Sequence, residues 1–101
     1  MRFDFHPEAL AELEAAVRYY TAVRPGVGLR FVTSVEEAID RILEAPFRWR
    51  ILEADVRRCL TRIFPYAVLY TVEPEFVLII AIMHSHREPG YWRKRIPEQA
   101  S

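Results

Sequence analysis

Apolar residues recur at helical spacing in the first half of the chain. One stripe, at intervals of three, four and three residues, is formed by Leu10, Leu13, Val17 and Tyr20. It predicts an amphipathic helix that begins at Pro7. A second stripe predicts a helix that begins near Leu29 and ends at Pro46, and it is formed by Phe31, Val35, Ala38, Ile39 and Ile42. The intervening RPGVG at 24–28 predicts a tight turn, so the two helices should form an antiparallel hairpin.

The second half of the chain has the pattern of β-structure. Alternating or continuous apolar residues predict strands at 56–64, 66–72 and 76–83, and RFDF at 2–5 predicts a further short strand. The run at 76–83, FVLIIAIM, is apolar at consecutive positions, which is typical of a strand covered on both faces. The short connections between the last three strands imply antiparallel neighbours. Residues 47–55 form a connection with room for a short edge strand.

These elements predict an α+β fold in which the helix hairpin packs on one face of a small, mainly antiparallel sheet. At 101 residues the chain has room for one core. We therefore expect a single domain over 1–95 and a C-terminal tail over 96–101. Because the helices cover one face only, the segment after Glu88 must lie over the second face or leave apolar surface for a partner.

Composition narrows the class of protein. The chain is 51% hydrophobic and 28% charged, as in an ordinary globular domain. Its longest apolar run is too short to cross a bilayer, and no apolar leader follows Met1, so we expect a cytoplasmic protein without a membrane partner. Cys59 is the only cysteine, and no His/carboxylate pair has ligand spacing, so no metal is expected. No nucleotide cofactor is expected either, because Gly26-x-Gly28 follows a helix and not a strand.

The net charge is zero, but the charges are unevenly distributed. Residues 1–55 carry ten acidic residues against seven arginines, whereas 56–101 carry seven basic residues against four acidic ones. All the basic residues except Lys94 are arginine, which suits bidentate contacts to phosphate or carboxylate groups. The densest cluster, MHSHREPGYWRKR at 83–95, directly follows the most apolar predicted strand. It is the first candidate for a functional surface.

The order of several short motifs resembles that of the RelE/ParE superfamily of toxins from bacterial type II toxin–antitoxin systems, often labelled plasmid stabilisation proteins. The resemblance extends from about Arg2 to Arg95. The motifs that carry it are Tyr19-Tyr20, Pro25-Gly26-x-Gly28, Arg57-Arg58 followed by Phe64-Pro65-Tyr66, and His84-x-His86-Arg87 with Tyr91-Trp92. The family fold, a helix hairpin against an antiparallel sheet, agrees with the fold that the apolar pattern predicts.

The resemblance implies one of two activities. ParE-like members act on DNA gyrase and lack nuclease residues, and the PGxG, FPY and HxHR…GYW motifs are closer to these members. Resemblance to the ParE-like members implies a toxin that inhibits DNA gyrase by binding and performs no catalysis. Arginine and aromatic residues are enriched at interface hot spots. The candidate target-binding residues are therefore Arg57, Arg58, Arg62, Arg87, Tyr91 and Trp92, although Arg57 and Arg58 should point to opposite faces of their strand.

The alternative activity is that of RelE-like members, which cut messenger RNA on the ribosome. Cleavage of RNA without a metal needs a base, an acid and cations at the phosphate. The candidate catalytic residues for this case are His84, His86, Arg87 and Tyr91. The same residues also have structural interpretations, since a histidine can cap the strand end and Trp92 can cover the sheet. A diverged, inactive member is the third alternative.

The resemblance also implies a protein partner. Family members are neutralised by a small antitoxin encoded beside them, whose extended or helical C-terminal segment wraps the toxin. We expect this segment on the helix hairpin, on the exposed sheet, or on both, and no sequence-specific DNA binding by this chain alone. The candidate antitoxin-binding residues are Leu10, Val17, Val23, Val27 and Leu29.

Overall fold

A computed structural model of the chain describes residues 1–98. The elements, in chain order, are β1 (Arg2–Phe5), α1 (Pro7–Val23), α2 (Pro25–Glu44), β2 (Ile51–Glu53), β3 (Val56–Leu60), β4 (Tyr66–Val72), β5 (Phe76–His84) and a 3-10 turn (Arg93–Arg95). Within the described part of the chain, no helix is both long and apolar enough to cross a membrane.

The five strands form one sheet in the order β1-β5-β4-β3-β2. Strand β1 is parallel to β5, and all other neighbours are antiparallel. The two helices pack on one face, with α1 against β5 and α2 against β3 and β4. This arrangement confirms the predicted α+β class. It also confirms that the apolar run at 76–83 is an interior strand, because β5 lies between β1 and β4.

The connection between the helices differs from the prediction. Helix α2 begins at Pro25 and not near Leu29, so the single extended residue Arg24 separates it from α1. Pro25 occupies the first turn of α2, where its fixed φ is already helical and its missing N–H would have had no partner. The glycines of the RPGVG motif therefore lie within a helix, and the predicted turn over 24–28 is wrong.

Gly28 has a packing role and not a turning role. A Cβ atom at this position would lie 2.0 Å from Thr21 Oγ1 and 3.2 Å from the Thr21 backbone nitrogen, whereas one at Gly26 would meet nothing within 4 Å. The missing side chain at 28 therefore allows α2 to approach α1 closely near the connection between the two helices.

Two hydrophobic cores lie on opposite faces of the sheet. The larger core fills the space between helices and sheet, and the rings of Tyr20, Phe31 and Phe64 meet in it with centroids about 5 Å apart. The smaller core lies under the C-terminal segment, where Trp92 is only 4% exposed. The fold-back that was predicted for Trp92 is therefore present. Ile96 also packs on this core, so the chain remains part of the fold past Arg95, and residues 99–101 of the predicted tail lie outside the described residues.

Strand β3 is shorter than predicted. It ends at Leu60, and residues 61–65 form a loop before β4. The apolar residues Ile63 and Phe64 prolong the imperfect alternation of this segment, which is why the pattern predicted a strand as far as residue 64. The alternation breaks in the structure because Ile63 adopts a positive φ of 76°.

The close approach at Gly28 predicts opposite effects for two similar substitutions. Gly28→Ala should lower the free energy of unfolding by about 1–3 kcal/mol, because the new methyl group overlaps Thr21. Gly26→Ala, the matched control two residues away, should leave stability unchanged or raise it by up to about 1 kcal/mol through helix propensity. Urea unfolding of both variants checks this, and equal effects would contradict the packing role of Gly28.

Candidate functional site

The second half of β5 has no neighbouring strand on one side. Strand β1 pairs with β5 only from Phe76 to Ile79, whereas β5 continues to His84 along β4. Two side chains cover backbone groups of this free edge. The Ile82 N–H donates to Glu12 Oε1 at 3.0 Å, and the Ile80 carbonyl accepts from Arg95 Nη1 at 3.0 Å. Covered edge groups of this kind satisfy polar backbone that would otherwise be available to another strand.

The Glu12 carboxylate is the centre of this arrangement. Besides Ile82, it accepts from Arg95 Nη1 at 2.8 Å and from Arg95 Nη2 at 3.3 Å, and the Tyr91 hydroxyl donates to its Oε2 at 2.6 Å. The Arg95 side chain is only 8% exposed, and its Nε lies 3.3 Å from Glu8 Oε2. A buried guanidinium requires such a counter-charge. The pair thus fixes the C-terminal segment to α1 and to β5.

Tyr91 is held by two guanidinium groups at its ring as well as by a hydrogen bond at its hydroxyl. The guanidinium carbons of Arg87 and Arg95 lie 3.9 and 5.0 Å from the ring centroid, within cation–π distance. Burial, followed by the hydrogen bond to Glu12, raises the pKa of Tyr91 above its ordinary value. The phenol therefore stays protonated at neutral pH, and its hydroxyl already donates a hydrogen bond to a carboxylate.

These groups line a shallow cleft of about 250 Å³ at the end of β5, together with residues from α1 and β4: Glu12, Ala15, Ala16, Tyr19, Tyr66, Ile82, His84, Arg87 and Tyr91. The Nδ1 atom of His84 accepts the His86 N–H at 3.0 Å, so the proton of a neutral His84 ring is on Nε2. The Tyr66 ring meets the His84 ring edge-on at 5.1 Å. His84 therefore has the strand-end capping role that its position allowed, and its ring also lines the cleft.

The cleft brings together three of the four residues predicted for a nuclease, namely His84, Arg87 and Tyr91. The fourth, His86, is exposed beside the cleft, with its ring centroid 5.3 Å from that of His84. These residues meet because they are close in the sequence, at a turn that directly follows one strand. Among the described residues, no group of three or more His, Cys, Asp or Glu side chains could hold a metal ion.

Of the arginines predicted for target binding, Arg87 lines this cleft, whereas Arg57, Arg58 and Arg62 do not. Arg57 donates through Nη1 to the carbonyls of Phe47 and Trp49, at 2.9 and 2.8 Å, so its side chain anchors the connection between α2 and β2. Arg58 points to the opposite face, as predicted, and lines a groove there with Met83. The predicted target-binding set therefore does not form one surface.

Trp92 needs a correction. It was included among the target-binding residues, but its ring fills the second core and is not available to a partner in this structure. A large aromatic side chain at this position contributes more by covering the sheet, since a two-layer fold leaves that face otherwise open.

The residues predicted for antitoxin binding divide into two groups. Leu10, Val23 and Leu29 are exposed on the helix hairpin, and Leu29 is 72% exposed. Val17 instead packs against the larger core, and Val27 is half-buried. Val17 belongs to the same stripe as Leu13 and Tyr20, so it faces the sheet and is not available on the outer surface of the hairpin.

Glu12 and Arg95 are functional-site residues that the sequence reasoning missed. A signal for Glu12 was present, because it lies three residues after Ala9 and four before Ala16, both of which are buried. An acidic residue between two alanines on the buried face of a helix indicates room for a carboxylate with a partner. The partner, 83 positions away, could not be identified from local patterns.

Comparison with known proteins identifies the family. Residues 3–89 match the family model of the ParE toxin of type II toxin–antitoxin systems, parDE. The chain therefore belongs to the ParE toxin family. Among solved structures, a chain described as part of the chromosomal ParDE TA system from P. aeruginosa matches with a TM-score of 0.74 at 20% identity, over 83% of this chain and 95% of that chain. At this identity the likeness shows the shared fold. A search of curated proteins found no significant match.

The contacts of Glu12 predict that a small chemical change at this residue causes a large loss of stability. Glu12→Gln removes the charge that balances Arg95 and should lower the free energy of unfolding by about 2–4 kcal/mol. Glu14→Gln, on the exposed side of the same helix, should change it by less than about 0.5 kcal/mol. Chemical denaturation measures both values. Hydrogen exchange over 88–97 should increase in the Glu12 variant only, and unchanged protection there would contradict the proposed attachment.

Tyr91→Phe predicts a pH-dependent loss of stability. Because the pKa of Tyr91 is raised in the folded chain, its contribution is fully present below about pH 10, the ordinary tyrosine value, and is lost as the pH rises through the folded-state pKa. The variant should therefore be less stable than the wild type by about 1–2 kcal/mol at pH 7, and the difference should narrow above about pH 10. Urea unfolding at pH 7 and pH 11 measures both differences. A difference that widened at high pH would contradict this assignment.

Proposed function

We propose that this ParE-family toxin inhibits DNA gyrase by binding it and that a cognate antitoxin neutralises it. We choose binding over catalysis because the Tyr91 side chain is already engaged in contacts within the fold. Its hydroxyl donates to Glu12, and two guanidinium groups lie within cation–π distance of its ring. A phenol in this position is a structural tie, and it would have to leave Glu12 before it could transfer a proton to a substrate.

The distribution of arginine supports the same choice. A ribosome-dependent nuclease needs a continuous cationic surface, because phosphate neutralisation supplies much of its affinity for RNA. Here Arg57 is used by backbone carbonyls, Arg93 pairs with Glu53, and Arg95 pairs with Glu12. Of the other arginines, Arg30 and Arg62 line one hollow, whereas Arg58 and Arg87 line a separate groove. Contact with a folded protein partner requires only a compact patch with one or two such residues.

The antitoxin segment is proposed to lie along the outer side of the helix hairpin. Leu10, Val23 and Leu29 are exposed there, and the Tyr19 ring is exposed on α1. Apolar side chains at these positions fit the apolar face of an amphipathic segment. We also propose that the toxin acts in the cytoplasm, where both its target and a newly made antitoxin would be present, and that the gene pair stabilises the plasmid or chromosome that carries it.

A metal-independent, ribosome-dependent mRNA endonuclease is the second candidate function. The observation that favours it is the convergence of an imidazole, a guanidinium and a phenol in one cleft, from His84, Arg87 and Tyr91. In this case His84 would exchange a proton with the ribose or the leaving oxygen, and Arg87 would bind the phosphate.

Inducible expression of the toxin alone decides between the two candidates. Expression should arrest growth and induce the DNA-damage response, and co-expression of the antitoxin encoded beside the toxin should restore growth. The purified toxin should inhibit supercoiling by gyrase. His86→Ala and Tyr91→Phe should retain this inhibition within about threefold, since neither side chain is proposed to transfer a proton.

The contrary result is equally specific. If growth arrest comes with cleavage of mRNA on programmed ribosomes, and either substitution lowers that cleavage about a hundredfold or more, the nuclease is the correct function. Urea unfolding of Tyr91→Phe, as described above, tests whether unfolding accounts for such a loss.

A further inference from the structure

The loop between β3 and β4 presents an isoleucine in an unfavourable conformation. Ile63 has a φ of 76° and is 95% exposed. A positive φ is strained for a β-branched residue, and glycine or asparagine is the usual choice there. An exposed isoleucine also gains nothing from core packing. Neither the local conformation nor the hydrophobic core therefore accounts for this residue at this position.

The flanks of the loop are held firmly, so the strain is imposed on Ile63 by its surroundings. The Thr61 hydroxyl donates to the carbonyls of Phe64 and Tyr66, at distances of 2.9 and 3.1 Å. From α2, the Ser34 hydroxyl donates to the Arg62 carbonyl at 2.8 Å. The Phe64 ring packs into the aromatic part of the larger core. Ile63 thus projects at the tip of a loop whose flanks are fixed, and strain maintained in this way is typical of contact sites.

The surface around Ile63 is apolar with a cationic border. Ile63 and the exposed Leu29 line one shallow hollow of about 270 Å³. Arg30 and Arg62 line it as well, and neither forms an ion pair with any of residues 1–98, whereas Glu37 is the one carboxylate in the lining. This combination of a projecting aliphatic side chain and unpaired guanidinium groups is complementary to an apolar pocket bordered by carboxylates.

We propose that Ile63 is the anchor by which the toxin binds its target protein, inserting into an apolar, acid-rimmed pocket on that protein's folded surface. The inference rests on the proposed function and names the surface by which it operates. A projecting side chain on a fixed loop requires a concave partner. A folded enzyme has such concave sites, whereas a single helix or extended segment of an antitoxin has none deep enough to enclose a side chain. The target is therefore the occupant that the shape and charge of the tip favour.

Ile63→Gly separates this role from a structural one. Glycine adopts the positive φ without strain, so the thermal midpoint should stay the same or rise by a few °C. Inhibition of gyrase and arrest of growth should fall at least about tenfold, as expected for loss of a hot-spot side chain. Ile51→Ala, at another exposed isoleucine on β2, is the matched control and should leave arrest, inhibition and antitoxin binding unchanged.

The same samples report on the other possible occupants. Affinity for the antitoxin and molar mass by light scattering should be the same for Ile63→Gly and the wild type. Full arrest and inhibition by Ile63→Gly would overturn the proposal. Retained arrest with weaker antitoxin binding, or with a changed molar mass, would overturn it too and assign the tip to the antitoxin or to a second copy of the chain.

Failure of the proposed function gives different experimental results from failure of the Ile63 anchor. Wild-type toxin that arrests growth without inhibiting gyrase would remove gyrase as the target, and the arrest produced by Ile63→Gly would still test the anchor. Wild-type toxin that neither arrests growth nor inhibits gyrase would overturn the function and the anchor together.

Discussion

The carboxylate of Glu12 connects three parts of the fold that are far apart in the sequence. It receives hydrogen bonds from the β5 backbone, from the Tyr91 hydroxyl and from the buried guanidinium of Arg95. Without it, the free half of the β5 edge would lose its cover and Arg95 would keep an uncompensated charge. The position of the C-terminal segment and the walls of the cleft depend on this group, and the Arg93–Glu53 ion pair attaches the same segment at a second point.

The same interaction explains why the cleft contains the residue types of a reaction centre but holds them in structural hydrogen bonds. A histidine, an arginine and a tyrosine meet because they follow one another at the turn after β5. Their polar atoms are then largely used by the fold: Tyr91 by Glu12, and His84 by the backbone of His86. The projecting Ile63 lies in a different loop and is not used in this way. In our proposal the contacts of Glu12 stabilise the molecule, while the tip of the β3–β4 loop, which lies at the same end of the sheet as His84, contacts a partner.

The sequence predicted those features that depend on local periodicity. Both helices, the strands and the interior position of β5 follow from apolar spacing, and the cleft residues 84–91 were found because they are neighbours in the chain. The start of α2 was missed because Pro25 and Gly26 fit a turn as well as a first helical turn. The end of β3 was missed because Ile63 and Phe64 prolong the imperfect alternation. Glu12–Arg95 was missed because pairing over such a separation leaves no periodic pattern.

The pairing of the first strand with the last has a consequence for synthesis of the chain. Strand β1 lies parallel to β5, and α1 is completed by contacts to residues 91–95. A nascent polypeptide that emerges from the ribosome from its N-terminus therefore holds β1 without β5, and α1 without its contacts to residues 91–95, until those residues have been synthesised. Long-range contacts of this kind delay folding. A chain that ends before Arg95 lacks the side chain that covers the Ile80 carbonyl at the edge of the sheet, so the complete fold requires synthesis through Arg95.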